Sequence, residues 1–547
     1  MPTINFKGKT FVQNHHLTVK YHQLIPVKEK SLTDKVSLND NLIIHGDNLL
    51  ALKALLPNFA GKIKCIYIDP PYNTGNEKWV YNDNVNSPMI KEWLGKVVDK
   101  DDLSRHDKWL CMMMPRLKLL KELLSPDGVI FVSIDHNEIH HLKCLMNEIF
   151  GEENYKDTIV IRRGVKNVQA QFETIDSLSN GYESILMYTK DPNLRFNKIY
   201  EDLEEEKEGS WNNHWRGTDR PSMRYELFGI TPTEGQWRWS KERSMQAIEN
   251  YNVLVKDLRK NNLAITQENI DRWYLNYVEE NGEEIDLLRL SDNGTPEHYI
   301  PPTNRKLLSN LWIDLKPNGS SQLKKIFGKK VFENPKSIDL IKRLIKFVTD
   351  DPNAIILDSF AGSGTTGHAV LEINKEENKN LRFILIECED YADSITAERI
   401  RRAINGIPNS KDRRLREGLS GTFSYFELGP AIEMEDILRG DKLPEYEELA
   451  RYVFYTATGD EFDPVKIDRE RNFIGETSEY EVYLFYKPDL NYLKNTALDL
   501  DTAKSLGDYK GKKRLVFAPM KYLDPEFLQE YHIEYCQLPF EIYRFKE

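Results

Sequence analysis

Short apolar runs alternate with helical periodicity in two separate stretches of the chain. In the first, LIIHGD near Asn41 reads as a buried strand and NLLALKALLP as an amphipathic helix ending at Pro57. KCIYID (Lys64 to Asp69) follows as a strand. A helical pattern from about Arg105 to Leu124, the turn SPDG and the strand VIFVSID (Val129 to Asp135) repeat the rhythm. In the second stretch, after Asn334, the order is helix SIDLIKRLIKFVTD, strand AIILDSF, a glycine-rich turn at 361–364, helix TTGHAVLEINKE and strand RFILIE ending at Glu387. Strand and helix in alternation predict an α/β fold in which the two stretches share one sheet.

Between them, from about Tyr155, the pattern dissolves into polar, aromatic-rich sequence with an acidic run at 201–209, which reads as an inserted domain. Beyond about Gly421, YEVYLFY, KRLVFAP and IEYCQLPFEIYRF predict a small C-terminal α/β domain. The expected division is an N-terminal arm at 1–40, α/β halves at 41–154 and 331–423, an insertion at 155–330 and a C-terminal domain at 424–547.

With 547 residues, 40% of them hydrophobic, the chain is long enough for several cores. Its 87 acidic and 75 basic side chains leave a charge of −12, which argues against a general polyanion binder and confines any nucleic-acid contact to local basic patches. Five scattered cysteines with no CxxC pair give no zinc or redox motif and point to a reducing cytosol. No apolar run is long enough to span a membrane and the polar start lacks a signal-peptide core, so a cytoplasmic protein is expected.

Two strand ends carry candidate chemistry. Asp69-Pro70-Pro71-Tyr72 closes an apolar strand. Paired prolines fix φ and remove two backbone donors, which leaves carbonyls free to accept hydrogen bonds. An aromatic amine is a poor nucleophile because its lone pair is delocalised into the ring. Acceptors such as Asp69 and the Pro70 carbonyl, set on its hydrogens, localise that pair, and Tyr72 offers a face for an extruded base. Alone, the tetrapeptide also reads as a rigid turn with a surface tyrosine.

The second motif, Asp358-Ser359-Phe360-Ala361-Gly362-Ser363-Gly364, precedes the helix starting near Thr365, and Glu387 ends the next strand, where it is placed to meet ribose hydroxyls. Thr366 stands where a dinucleotide fingerprint wants its third glycine, and no pyrophosphate-binding lysine follows. A nucleoside cofactor without phosphates suits this spacing. Alone, the glycine turn reads equally well as a tight strand-to-helix connection.

Together these residues resemble the amino-methyltransferases of DNA restriction-modification systems, with a DPPY motif and, about 290 residues later, an FxGxG motif. The order resembles the β group of that family. IDPPYNTG, IHGDNLLALKALLP, LLSPDGVIFVSID and EDYADSITAERIRR are most similar to modification subunits of Type III systems. The resemblance implies a Rossmann-like S-adenosylmethionine-dependent methyltransferase domain with an inserted target-recognition domain. It assigns Asp69, Pro70, Pro71 and Tyr72 to the target amine of a flipped adenine. Asp358, Phe360, Ala361, Gly362, Gly364, Thr365, Glu387, Lys336 of the segment NPKS, and Asp47 go to the cofactor.

The same resemblance implies double-stranded DNA as substrate, a homodimer, and a helicase-nuclease restriction subunit as companion; with no GxxxxGK[ST] loop in the chain, translocation would belong to that companion. Arg162, Arg163, Lys166, Arg216, Arg220, Arg224, Lys324, Lys325, Lys329 and Lys330 form basic islands for DNA in the insertion. Trp211, Trp215, Trp237 and Trp239 are read as core of the insertion in preference to a DNA surface. One departure is SIDHNE, where His136 replaces an expected acid; a surface role is assigned to it. N4-cytosine methylation, an inert DNA-recognition subunit and an RNA methyltransferase stay open. Asp, in place of Ser, before PPY favours adenine. In-line methyl transfer would need no metal and no covalent intermediate, so no metal ligand is assigned.

Overall fold

A computed structural model of the protein describes residues 3–73, 105–164, 178, 180–218, 220–408, 410, 412–431, 443–460 and 462–538. Lys166, Thr74 and Gly75, and the last residues of the predicted C-terminal strand lie outside the described residues. The chain divides into two compact units, Met1–Asn197 with Asn310–Glu547, and Lys198–Ser309.

The larger unit is built on a ten-stranded sheet. Its strands, in chain order, are β1 (His22–Pro26), β2 (Leu42–His45), β3 (Ile63–Ile68), β4 (Leu124–Ile134), β5 (Tyr155–Arg162), β6 (Tyr182–Thr189), β7 (Leu311–Trp312), β8 (Ile355–Asp358), β9 (Arg382–Glu387) and β10 (Ser424–Ala431). In space they run β1-β10-β2-β9-β8-β3-β4-β6-β5-β7. From β10 to β4 all neighbours are parallel. β6 is antiparallel to both β4 and β5. Strands of a parallel sheet are covered on both faces, so they read as near-continuous apolar runs; β8 is buried throughout and β3 at all but one position.

Helices α1 (Asn48–Phe59), α2 (Arg105–Leu123), α3 (Ile139–Phe150), α4 (Gly319–Phe327), α5 (Ile338–Val348), α6 (Thr365–Glu377) and α7 (Glu398–Asn405) belong to the same unit. Helix α1 runs two residues past Pro57, because a proline in the last turn forfeits only one backbone bond.

The structure differs from the sequence reading at three boundaries. Residues 155–197 belong to the large unit, because β5 and β6 close one side of its sheet; the separate unit starts at Lys198, not at 155. At its other end it stops at Ser309, so α4 with Lys324 and Lys325 is also in the large unit. β10, placed by the sequence in the C-terminal domain, pairs with β1 and β2 in the main sheet. After it, a four-stranded sheet of Phe473–Glu476, Tyr480–Leu484, Lys513–Ala518 and Ile533–Gln537 forms the predicted C-terminal α/β element. The helix Tyr446–Thr458 joins it to the main core, where Tyr452 meets Tyr21 with ring centroids 4.6 Å apart.

The smaller unit has its own cores around Leu254, Ile270 and Tyr299, and around Leu227 and Trp237. Trp237 is buried, Trp211 and Trp239 pack against these clusters, and Trp215 is 40% exposed. The acidic run, read as irregular sequence, is the strand Tyr200–Lys207, paired antiparallel with Thr303–Leu307. Among the described residues no helix is long and apolar enough to cross a membrane.

Candidate active site

β3 and β8 are adjacent parallel strands, and the chain leaves them in opposite directions: β4 lies beyond β3, and β9 beyond β8. Their carboxyl ends therefore flank a topological switch point, where an open α/β sheet forms its binding crevice. Asp69-Pro70-Pro71-Tyr72 follows β3 and Ser359–Gly364 follows β8, so two motifs far apart in sequence meet at one edge.

The Pro-Pro turn is pinned from behind. The Pro71 carbonyl accepts from Trp109 Nε1 of α2 at 2.7 Å, and Trp109 is fully buried. Asn73 takes left-handed backbone (φ 55°) and its amide donates to the buried Glu138 carboxylate. Glu138 also accepts from His106 Nδ1 at 2.6 Å and His141 Nδ1 at 2.8 Å. These three side chains are a possible cation-holding geometry by distance alone. However, Arg105 Nε donates to His106 Nε2, which leaves the ring proton on Nδ1, aimed at the carboxylate. We therefore describe the group as a hydrogen-bonded anchor for the turn.

In front of the turn lies a charge cluster. Tyr72 Oη donates to Asp69 Oδ1 at 2.7 Å, and Lys336 Nζ donates to Tyr72 Oη at 2.7 Å and lies 3.2 Å from Asp69 Oδ1. Lys336 also reaches Glu183 Oε2 of β6 at 2.5 Å. Burial pushes the Asp69 carboxyl above the usual range, and Glu183 adds to the rise against the opposing pull of Lys336. Burial works against charge at Glu183 and Lys336 too. The two carboxylates nevertheless hold the Lys336 ammonium above its ordinary value, and Lys336 holds Glu183 below its own.

At the β8 edge the backbone turns through left-handed glycines. Gly364, at φ 76°, caps α6, and a Cβ there would sit 3.1 Å from the Thr396 carbonyl. The loop is held from three sides. Glu387 Oε2 accepts from the Gly362 amide at 2.7 Å, Thr396 Oγ1 donates to the Gly362 carbonyl at 2.6 Å, and the buried Arg399 donates to Ser363 Oγ and Thr365 Oγ1. Asp358 accepts from the Phe360 amide at 3.1 Å and Thr366 Oγ1 at 2.6 Å. Burial raises both Asp358 and Glu387 to about 7.

Two cavities open here. One, of about 190 Å³, lies between the glycine loop, Phe332, Tyr391, Lys336, Asp358 and Glu387. The other, of about 570 Å³, is lined by Tyr72, Arg162, Arg163, Glu183 and Pro317 among others. They share Asp69, Pro70, Phe332, Asn334, Pro335 and Lys336.

Of the sequence-derived residues, Asp69, Pro70, Pro71, Lys336, Asp358, Phe360, Ala361, Gly362, Thr365 and Glu387 line the smaller cavity, and Tyr72 lines the larger. Gly364 shapes the loop. Asp47 is placed otherwise: its carboxylate caps α1 by accepting from the Leu49 amide at 2.8 Å and lies 3.5 Å from Arg116. Arg162 and Arg163 edge the larger cavity, Arg163 3.5 Å from Glu183. Arg216, Arg220 and Arg224 belong to the small unit, where Arg224 braces its own loop by donating to the Gly235 carbonyl at 2.8 Å. Lys324 and Lys325 are exposed on α4. His136 is exposed and meets Asn180. Sequence reasoning missed Glu183, Phe332, Tyr391 and Arg399. For Glu183 the available signal is an acid one position into the otherwise apolar strand YESILMYT.

Comparison with known proteins agrees with this geometry. The family model described as DNA methylase matches residues 63–398, which includes both motifs. The chain is 32% identical to the Type II methyltransferase M.KpnI of Klebsiella pneumoniae, over 65% of this chain and 82% of that one. It is 30% identical to the Type III EcoPI Mod subunit of Escherichia phage P1, over 79% and 73%. It is also 30% identical to the StyLTI Mod subunit of Salmonella typhimurium, of which it spans only 57%. With more than half of its length matched and both motifs meeting at one sheet edge, the chain belongs to the DNA methylase family.

Proposed function

We propose that the protein transfers a methyl group from S-adenosylmethionine to the N6 amine of an adenine flipped out of duplex DNA, as a modification subunit of the Type III kind. The observation that carries this is the pair of adjoining cavities at the β3/β8 switch point, with Asp69 and Pro70 among the residues that line both.

The smaller cavity suits the cofactor. Its lining carries three carboxyl groups, Asp69, Asp358 and Glu387, against one ammonium, Lys336, a balance that favours a cationic sulfonium over a pyrophosphate. Phe332 and Tyr391, with ring centroids 5.5 Å apart and nearly perpendicular, add aromatic faces. Glu387 reaches the rim beside the glycine loop, where ribose hydroxyls would be met. Bound there, S-adenosylmethionine supplies an electrophilic methyl group.

The chain's own residues prepare the amine. Asp69 and the Pro70 carbonyl accept its two hydrogens, which localises the lone pair toward the smaller cavity. Tyr72 stacks on the base and offsets part of the few kcal/mol lost on unstacking. Asp69, held above the usual carboxylate range, then takes the proton that the methylated amine gives up. No covalent enzyme adduct is needed, so catalysis rests on position and electrostatics.

Recognition of the DNA site is assigned to the Lys198–Ser309 unit with its exposed Arg216 and Arg220, and phosphate contacts to Arg162, Arg163, Lys324 and Lys325. A homodimer and a restriction subunit that supplies cleavage complete the reading. The test is to incubate the protein with unmethylated plasmid and methyl-labelled cofactor, digest the DNA and identify the nucleoside. N6-methyladenine is the expected product. N4-methylcytosine changes the base, and cofactor binding without label makes the chain a recognition subunit.

A further inference from the structure

Asp69 Oδ1 already accepts from Tyr72 Oη at 2.7 Å and lies 3.2 Å from Lys336 Nζ, so the amine is left the other carboxylate oxygen, a weaker acceptor the more closely a cation holds the group. Lys336 is that cation, and it has two carboxylates to choose from. Its Nζ lies 2.5 Å from Glu183 Oε2 and 3.2 Å from Asp69 Oδ1. The shorter contact goes to the residue that no motif assigns.

We propose that Glu183 is a positioning residue of the methyl-transfer site: it anchors the Lys336 ammonium so that Asp69 remains an open acceptor for the amine. The proposal rests on the methyltransferase reading of the site, and three observations support it. First, Glu183 reaches the cluster only because β6 runs antiparallel to β4, which brings the start of β6 to the edge where β3 and β8 end; Ser184 pairs with Ile134 at the close of β4. Second, its side chain is 13% exposed and that of Lys336 14%, so the contact is sheltered from water and worth more than a surface pair. Third, Glu183 has a second cation, Arg163, at 3.5 Å to its other oxygen, which holds the carboxylate ionised and oriented while Lys336 uses Oε2.

Without Glu183, Lys336 keeps Asp69 as its only carboxylate partner in this cluster. The ion pair would then tighten, the carboxylate would become a weaker acceptor, and the amine would lose the group that localises its lone pair. Asp69 is faced by Lys336, Glu183, Tyr72 and Tyr67, and by Asp358 from the adjoining strand end; Arg163 faces Glu183. Removing the Glu183 charge takes away one anion that disfavours ionisation of Asp69, so the acid limb of the rate profile must move to lower pH even as the rate falls.

The experiment uses the full chain as wild type, Glu183→Gln, Glu183→Asp and Asp69→Asn. Two readouts are taken: the rate at which Lys336 is acetylated by a limiting amine reagent, followed by mass spectrometry, and the pH profile of methyl transfer. Glu183→Gln should label Lys336 several-fold faster than wild type, and more than Asp69→Asn does. It should lower kcat by about 10- to 100-fold, with cofactor Kd within about 3-fold of wild type, and shift the acid limb downward. Glu183→Asp, with a carboxylate on a shorter stem, should recover part of both effects. Faster labelling in Asp69→Asn than in Glu183→Gln overturns the proposal, as does a lowered kcat with an unmoved limb. If the wild type transfers no methyl group, the proposed function falls, and the order of labelling alone decides the anchoring.

Discussion

At Asp69 the decisive property is a carboxyl group held above its ordinary range, where the proposed reaction needs it ionised. Burial is the main cause and Lys336 the main restraint. Methyl transfer should therefore rise with pH through an acid limb lying above the usual carboxylate range, and Asp69→Asn should abolish the limb along with most of the rate. A limb at the ordinary aspartate position would contradict the assignment. Asp358 gives a second titration. Its folded-state value of about 7 lies above the unfolded value, so the folded form binds the extra proton, and this group's contribution to stability falls as pH rises from about 4 to about 7. Asp358→Asn keeps the acceptor for the Phe360 amide without the charge. The melting temperature of that variant relative to wild type should climb as pH rises through this window; a difference independent of pH would contradict the shift.

These residues were legible in unequal measure. Asp69 and Tyr72 were readable because two prolines after an apolar strand have few structural uses. Glu387 was readable because it ends the strand after the glycine turn. Asp47 was read as a cofactor residue, but an acid after a strand is equally a helix cap, and here the Leu49 amide claims it. Glu183 was signalled only by an acid near the start of an apolar strand, because its partners lie more than a hundred positions away, and Phe332 gave no signal because it sits in a loop without periodicity.

Among the elements, the strand-helix-strand rhythm announced β2, β3, β4, β8 and β9, whose apolar runs are dictated by burial on both faces. β5 and β6 escaped, although YESILMYT is strongly apolar, because the polar sequence between and after them looked like the start of an insertion. Only pairing with β4 fixes them in the main sheet. The turn after β8 is the most demanding element. Gly364→Ala should cost about 1–3 kcal/mol of stability or local order, because its φ is 76° and a Cβ would press on the Thr396 carbonyl. Cofactor affinity should fall with it, read by calorimetric titration; unchanged affinity would place the cofactor elsewhere. On the β3 side, Trp109→Phe removes the donor to the Pro71 carbonyl and should slow methyl transfer while leaving cofactor binding near wild type.

On the scale of the whole molecule, one sheet carries the candidate site, and the second unit is inserted in the chain between Asn197 and Asn310. Its entry and exit strands, Tyr200–Lys207 and Thr303–Leu307, pair with one another, and the Leu308 amide donates to the Ile199 carbonyl at 2.8 Å. Replacing 198–309 by a short flexible linker should therefore leave a folded protein that binds cofactor and has lost discrimination among DNA sequences. Loss of cofactor binding in that deletion would show that the unit is needed to hold the sheet. The acid-rich composition agrees with this division: with a charge of −12, the molecule must gather its DNA contacts on local patches.

The central claim is that Asp69 prepares the amine while the glycine loop holds the cofactor, two tasks at one sheet edge. Its most direct test is single-turnover methyl transfer by Asp69→Ala, started from enzyme already loaded with labelled cofactor. The account predicts a rate lowered about 10³-fold with cofactor Kd within about 3-fold of wild type. Transfer at the wild-type rate would contradict it.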